Sequence, residues 1–421
     1  MSVREKVLTY IDSKKDRLVN STVRFIKTPS PSGSEGDVAK VLVEELKTAG
    51  LEVKVDSVGN VIGELRGKGG ADRKKTLAFN VHLDHVPAGA PESWKHGPYN
   101  GVVEDGKIYG RGAADTKGAW APMILAMEAV KACGGVKGDV FFTAVIMEEL
   151  TYCIGMRVLL DTTLRDTRPD YIISGEATSL NVAVGHRGRT ELELATKGRS
   201  CHASAPWRGE NAIYKAVPVI SSIERLSREL EAEEAHPLLG RSSMALTDIV
   251  CSPGAHNVVP DRCRMWLDYR FLPSETLETI SRRIKGALTA VSADAEVKVC
   301  EAEERTYTGV KFKGQKYMPA YAIDAHHQLV KTVAESAETI LFKPPKIQRW
   351  DFATDGGYSM GVLGIPTVGF SPCEENLTHA PNEYIRVNYM VRAAKVYAEI
   401  MMRLCGSLDA TSCRPHISRL A

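Results

Sequence analysis

The sequence predicts an α/β fold into which a second, smaller α+β unit is inserted. Three observations carry that reading. Apolar, β-branched runs such as Phe142-Thr-Ala-Val-Ile-Met-Glu148-Glu149 have the texture of strands buried on both faces. From about Arg189 the texture changes to strands that alternate apolar and polar residues, in the order β, α, β, β, α, β of a ferredoxin-like unit. After Tyr307 the α/β pattern resumes. Residues 1–188 and 304–421 are therefore expected to form one discontinuous domain, with 189–303 inserted into it.

A chain of 421 residues with 43% hydrophobic content is long enough for two substantial cores. Lys and Arg number 54 against 52 Asp and Glu, so bulk charge favours neither nucleic acid nor a membrane surface as partner. The start, Met-Ser-Val-Arg-Glu-Lys, lacks the apolar stretch of a signal peptide, and no apolar run reaches the roughly 18 residues that span a bilayer. Nine cysteines without a C-x-x-C pair fit reduced thiols, and a cytoplasmic protein is expected.

Taken in order, Val7, Ile11, Leu18, Val23 and Phe25 give helical spacing from Val3 to about Lys27. Ser34 then offers an N-cap for a helix ending at Gly50. Leu51–Val55 and Val61–Leu65 flank the Gly59-Asn60 turn as a hairpin. Leu77-Ala-Phe-Asn-Val-His82-Leu-Asp84 is a strand ending in ligand-type residues, with His82 and Asp84 on one face. A glycine-dense loop from Asp105 to Gly118 contains Asp115 and opens a helix over 119–132, whose dipole favours an ionised acid. Lys117 is out of register for a phosphate loop. The strand ending at Glu148 and Glu149 follows, and then Tyr171-Ile-Ile-Ser-Gly-Glu176 repeats the pattern. Later come a helix over 327–340, with His326 and His327 at solvated surface, the loop Thr354-Asp-Gly-Gly, a strand at Thr367-Val-Gly-Phe and the segment Glu375–Glu383 before a final helix. Gly406–Ala421 reads as a loose tail.

His82, Asp84, Asp115, Glu148, Glu149, Glu176 and His379 thus gather at strand and loop ends, where open α/β sheets bind ligands. A mixed His and carboxylate set suits zinc, manganese or cobalt better than calcium or magnesium. Five carboxylates exceed the needs of one zinc and match two ions with a bridging acid, an orienting acid and a general base. Such a pair activates water and polarises a carbonyl oxygen, while a free Glu moves the proton to the leaving nitrogen. Cys201 and His202 are sequence neighbours, which point to opposite faces on a strand, so a Cys/His nucleophile pair is disfavoured.

Val81-His82-Leu-Asp84-His-Val-Pro, Tyr109-Gly-Arg-Gly-Ala-Ala-Asp115-Thr-Lys-Gly118, Glu148-Glu149, Gly175-Glu176 and His379-Ala-Pro-Asn-Glu383 together resemble the M20 metallopeptidases. That family includes acetylornithine deacetylases, succinyl-diaminopimelate desuccinylases, aminoacylases and carboxypeptidases. Gly185-His-Arg-Gly-Arg, Ser200-Cys-His202-Ala-Ser-Ala-Pro and Asn211-Ala-Ile are most similar to its selenium-metabolism-linked hydrolases. The resemblance implies a mostly parallel central sheet and an inserted lid through which two chains form a homodimer. It implies two divalent ions, zinc foremost, with one or both positions filled. His82 and Glu176 would hold one ion, Glu149 and His379 the other, and Asp115 would bridge. Asp84 would orient His82 and Glu148 would be the general base. His202 would reach across the dimer to stabilise an oxyanion. Asn257 and Arg270 would bind a substrate carboxylate, with Arg349 a further donor, and Thr354 and Gly356 would lie beside the substrate.

The expected activity is hydrolysis of an amide C–N bond in a small, carboxylate-bearing substrate such as an N-acyl amino acid or dipeptide. An alternative on the same ions is hydrolysis of a non-amide C–N bond, of a carbamoyl or aromatic amine compound, releasing ammonia. A binding module with a decayed site is disfavoured because every candidate ligand and the base are present. The sequence departs from the family at His85, in place of a small apolar residue, at His186 and Arg187, and in the order of Thr354-Asp-Gly-Gly. The polar departures argue against a long apolar acyl chain.

Overall fold

The computed structural model describes residues 1–72, 74–150 and 153–408, so the expected tail lies, beyond residue 408, outside the described residues. Helices α1 (Val3–Ser13) and α2 (Lys15–Ile26) replace the single helix expected over 3–27; the break is Lys14, at φ −110° and ψ 16°. Ser34 does not cap the next helix, α3 (Gly36–Thr48). Glu35 stands at its start instead and turns inward, where its carboxylate accepts from the Gly33 and Met147 amides at 3.0 and 3.2 Å.

The hairpin β1 (Glu52–Val55) and β2 (Val61–Leu65) leads to β3 (Leu77–His82), the hairpin β4 (Val102–Glu104) and β5 (Lys107–Tyr109), helix α4 (Gly118–Ala132) and β6 (Val140–Val145). Helix α5 (Ile154–Val158) and strands β7 (Tyr171–Ser174), β8 (Val182–Ala183) and β9 (Gly185–His186) follow. The alternating region comprises β10 (Gly188–Lys197), α6 (Ala212–Ala232), β11 (Ser243–Ser252), β12 (Arg262–Phe271), α7 (Leu277–Thr289) and β13 (Glu296–Val299). After it come β14 (Glu301–Arg305), β15 (Lys311–Gln315), β16 (Tyr317–Met318), β17 (Tyr321–Ala322), α8 (Gln328–Leu341), β18 (Ile347–Gln348), β19 (Thr367–Gly369), β20 (Tyr384–Arg386) and α9 (Val387–Leu404). His327 is more than solvated surface: its Nδ1 accepts from the Leu329 amide and caps α8.

An eight-stranded sheet in the order β1-β2-β6-β3-β7-β19-β8-β18 organises the larger domain. Its middle, β6-β3-β7-β19, is parallel throughout. Every residue of β3 and β6 is buried, which is why these strands read as continuous apolar runs. Helix α4 is buried almost all round, between α9 and the N-terminal helices.

The second sheet has the antiparallel order β11-β12-β10-β13, and α6 and α7 close its core through Leu192, Leu194, Ile223, Met265, Leu267 and Ile284. Strand β16 also pairs with β10, at Met318↔Arg189 and Tyr317↔Thr190, so this sheet draws on chain well past residue 303. Residue 303 itself falls inside β14, in a hairpin with β15 that the sequence reading did not contain. Among the described residues, no helix is long and apolar enough to cross a membrane.

Candidate metal centre

The centre is built at the carboxyl ends of three adjacent parallel strands. His82 is the last residue of β3, and Asp84 follows it by two. Glu148 and Glu149 form a turn just past β6, and Glu176 lies two residues past β7. Parallel neighbours in the order β6-β3-β7 bring these ends to one rim of the sheet. Asp115 enters from the loop before α4, with φ −142° and ψ 88°. His379 enters from the loop before β20, at φ +60°.

His82 Nε2 lies 2.9 Å from Asp115 Oδ1 and 3.6 Å from Glu176 Oε1. His379 Nε2 lies 3.1 Å from Asp115 Oδ2 and 3.1 Å from Glu149 Oε2. Asp115 therefore offers one oxygen to each of two groups of three, and within each group the ligand atoms lie within 4.8 Å of one another. His82 Nδ1 donates to the Asp84 carbonyl at 3.0 Å, while the nearer Asp84 carboxylate oxygen is 3.5 Å away. That carboxylate instead accepts from the Glu148 and Glu149 amides at 3.0 and 3.2 Å and from the Ser32 hydroxyl at 2.7 Å. Asp84 thus orients His82 chiefly through its main chain and fixes the Glu148-Glu149 turn with its side chain.

Burial opposes charge on every acid in this cluster. Glu148 is pushed well above the usual carboxylate range by burial and by Glu176, and Glu149 is raised by burial and by Asp115. Glu176 is raised well above it too, by burial and by the repulsion of Asp115 and Glu149. Asp115 is equally buried, yet the hydrogen bonds from His379 and His82 hold it below its ordinary value. Hydrogen bonds to Asp115 and Glu149 raise His379 to about 10. Glu148 Oε1 is buried without a hydrogen-bond partner. Oxygen and imidazole donors packed this closely, with an orphaned carboxylate oxygen among them, fit divalent cations.

Residues 78–403 match the peptidase family M20/M25/M40. The chain belongs to that family. It is 31% identical over 396 residues to the uncharacterized protein YgeY of Escherichia coli K12, covering 93% of this chain and 96% of that one. Over 284 residues it is 32% identical to the succinyl-diaminopimelate desuccinylase of Paracoccus denitrificans, covering 66% and 73% of the two chains. The M20 metallo-carboxypeptidase Sso-CP2 of Sulfolobus solfataricus shares the fold, with a TM-score of 0.72 at 18% identity over 93% of this chain and 99% of that one. The protein is thus an M20 metal-dependent hydrolase that acts on amide C–N bonds of small substrates.

A cavity of about 240 Å³ opens over the M20 centre. Asp115, Glu148, Glu149, Glu176 and His379 form its floor, and Arg189, Arg270 and Met318 come from the second sheet. Arg189 and Arg270 are register partners on β10 and β12. Their Nε atoms share the Asp268 carboxylate, at 2.9 and 2.6 Å. The sequence reading missed Arg189, because nothing in a sequence shows which residue lies opposite Arg270.

Thr354 and Gly356 are not part of the cavity wall, which Phe352 and Ala353 supply. Thr354 is fully buried and its hydroxyl accepts from the Gly356 amide, while a side chain on Gly356 would strike the Tyr321 ring. Arg349 turns elsewhere, donating to the Leu238 carbonyl at 3.2 Å and pairing with Asp351. His202 and Asn257 stand together, joined by a bridge from His202 to Val258 and by the Ala203 amide donating to the Asn257 carbonyl at 2.9 Å. Both are exposed and neither lines this chain's cavity. His85 and His186 are buried away from the cavity, so their polarity carries no argument about the acyl group.

Proposed function

We propose that this M20 hydrolase cleaves the amide bond of a small substrate whose carboxylate lies near the scissile C–N bond, an N-acyl amino acid or a dipeptide. The observation that carries the reading is the Asp115 carboxylate, which serves two adjacent ligand groups beside the partnerless Glu148 oxygen. His82, Asp115 and Glu176 would hold one divalent ion, and Asp115, Glu149 and His379 a second, with zinc first and manganese or cobalt as alternatives. Such ions supply Lewis acidity toward the carbonyl and make water a stronger acid. Glu148 accepts the proton of the attacking water and returns it to the leaving nitrogen. Arg270 and Arg189 on the opposite wall supply charged donors for the substrate carboxylate.

His202 and Asn257 act on the cavity of a second copy in this reading, and the second sheet with α6 and α7 is the lid through which two chains pair. Its support is their exposure beside apolar surface: Trp207 and Tyr214 are 77% and 76% exposed, and Ile249 and Val250 lie on the edge strand β11.

The experiment is a screen of N-acetyl, N-succinyl, N-carbamoyl and aminobenzoate compounds with Zn²⁺ and Mn²⁺, reading carboxylic acid and ammonia together. An N-acyl amino acid should be hydrolysed to its acid. Arg270→Ala should raise KM roughly 10- to 100-fold, the worth of one charge-assisted hydrogen bond. Ammonia without an acid product would replace the amide by a non-amide bond. A preferred uncharged substrate, unaffected by Arg270→Ala, would remove the carboxylate anchor.

A further inference from the structure

The ligand residues differ in what holds them. His82 and Glu176 are fixed by the hydrogen-bonded ends of β3 and β7. Asp115 and His379 sit on loops, both with backbone angles outside the ordinary helix and strand regions. The Arg111–Glu383 ion pair meets both, Glu383 at Asp115 and Arg111 at His379.

Glu383 is completely buried and its carboxylate collects four donors. Oε1 accepts from the Ala114 amide at 2.6 Å and from the Asp115 amide at 3.0 Å. Oε2 accepts from the Gly112 amide at 3.1 Å and from Arg111 Nη1 at 2.7 Å. Arg111, 3% exposed, lies over the Trp94 ring and gives its other terminal nitrogen, Nη2, to the His379 carbonyl at 3.3 Å. One buried ion pair therefore binds the main chain of Asp115 at one end and of His379 at the other. Among the described residues, no hydrogen bond or ion pair joins it directly to His82 or Glu176; it reaches them only through the shared ligand Asp115.

We propose that Glu383 and Arg111 are positioning residues for the two loop-borne ligands: Glu383 for Asp115, which both ion positions share, and Arg111 for His379, which belongs only to the position of Asp115, Glu149 and His379. This rests on the ligand reading above. A buried carboxylate with four donors is held rigidly, and a neutral replacement cannot satisfy them all. In Glu383→Gln, the amide group turns NH₂ either to the Ala114 and Asp115 amides or to Gly112 and Arg111. Donors then face donors, and the loop carrying Asp115 must shift. Arg111→Lys keeps the charge but cannot reach Glu383 and the His379 carbonyl with one planar fork.

Chelator-stripped full-length protein, titrated with Zn²⁺ alone by calorimetry and checked by elemental analysis, separates the cases. Wild type should take two equivalents. Arg111→Lys should keep one at near wild-type affinity and bind the second at least tenfold more weakly, whereas Glu383→Gln, which loosens the shared Asp115, should weaken both at least tenfold. Their kcat should climb toward wild type as Zn²⁺ is raised, which a purely structural defect would not allow. Two equivalents at unchanged affinity in both variants would overturn the proposal. So would equal weakening of both equivalents in Arg111→Lys together with a lower melting temperature of its metal-free form. If Glu383→Gln does not fold, Arg111→Lys decides alone. A wild type that takes no second equivalent would show that the ligand reading itself has failed, independently of the variants.

Discussion

Glu148→Gln removes the group assigned to proton transfer while leaving the volume of the cavity floor unchanged. General-base catalysis contributes typically about 10²- to 10⁴-fold, or roughly 3–5 kcal/mol of barrier at 1.36 kcal/mol per decade. The loss should fall on kcat, because the candidate carboxylate anchors, Arg189 and Arg270, stand on the opposite wall and are not altered. Metal content should stay at the wild-type level, since Glu148 belongs to neither ligand group. The structure also fixes a sign for stability. Glu148 is buried beside Glu176, Asp355 and Glu149, each of which repels its charge. A neutral amide relieves that repulsion, so the metal-free variant should melt no lower than metal-free wild type. Steady-state kinetics, elemental analysis and calorimetry read these three quantities. A kcat within a few-fold of wild type would refute the assignment. So would a variant whose kcat returns with excess metal, which would make Glu148 a ligand.

Two further outcomes follow from the same geometry. Stripping divalent ions with a chelator should abolish activity and lower the melting temperature by several degrees, because ions bound only to the folded state stabilise it by about 2.7 kcal/mol at 100 times their dissociation constant; full activity in stripped protein would refute metal dependence. Mixing inactive Glu148→Gln chains with inactive His202→Ala chains should restore some activity, since heterodimers hold one complete site. No recovery despite proven subunit exchange would show that His202 does not act in trans.

The parts of the fold that were legible in the sequence share a physical cause. Strands β3, β6 and β7 are buried on both faces, so their composition alone marks them, and the ligands follow directly in the chain. The antiparallel second sheet was legible from its alternation, as at Leu192 and Leu194 against Glu191 and Glu193. What was missed left no such mark. The break at Lys14 involves neither Gly nor Pro. The β14–β15 hairpin is mostly Glu, Lys and Arg, and its half-buried residues are too few to give an apolar face. Arg189 became a wall of the cavity only through strand register, a property of two segments rather than one.

The histidines show where composition stops being informative. His82 and His379 face carboxylates, which raise their affinity for a proton despite the burial that opposes it. The hydrogen bonds of His85 and His186 go to main chain. His85 donates from Nδ1 to the Val86 carbonyl at 2.8 Å and accepts on Nε2 from the Ser30 amide at 2.9 Å. His186 does the same with the Arg187 carbonyl at 2.9 Å and the Thr354 amide at 3.0 Å. Burial lowers both to about 4, so each is a neutral cross-brace at physiological pH. His85 ties the Ser30 segment to the end of β3, and His186 ties the Thr354 loop to β9. Both braces meet loops next to the centre, so their polarity serves the geometry of the site rather than the chemistry of its substrate. A single imidazole is a metal donor or a structural tie according to whether its second nitrogen meets a carboxylate or an amide, and only folding decides which.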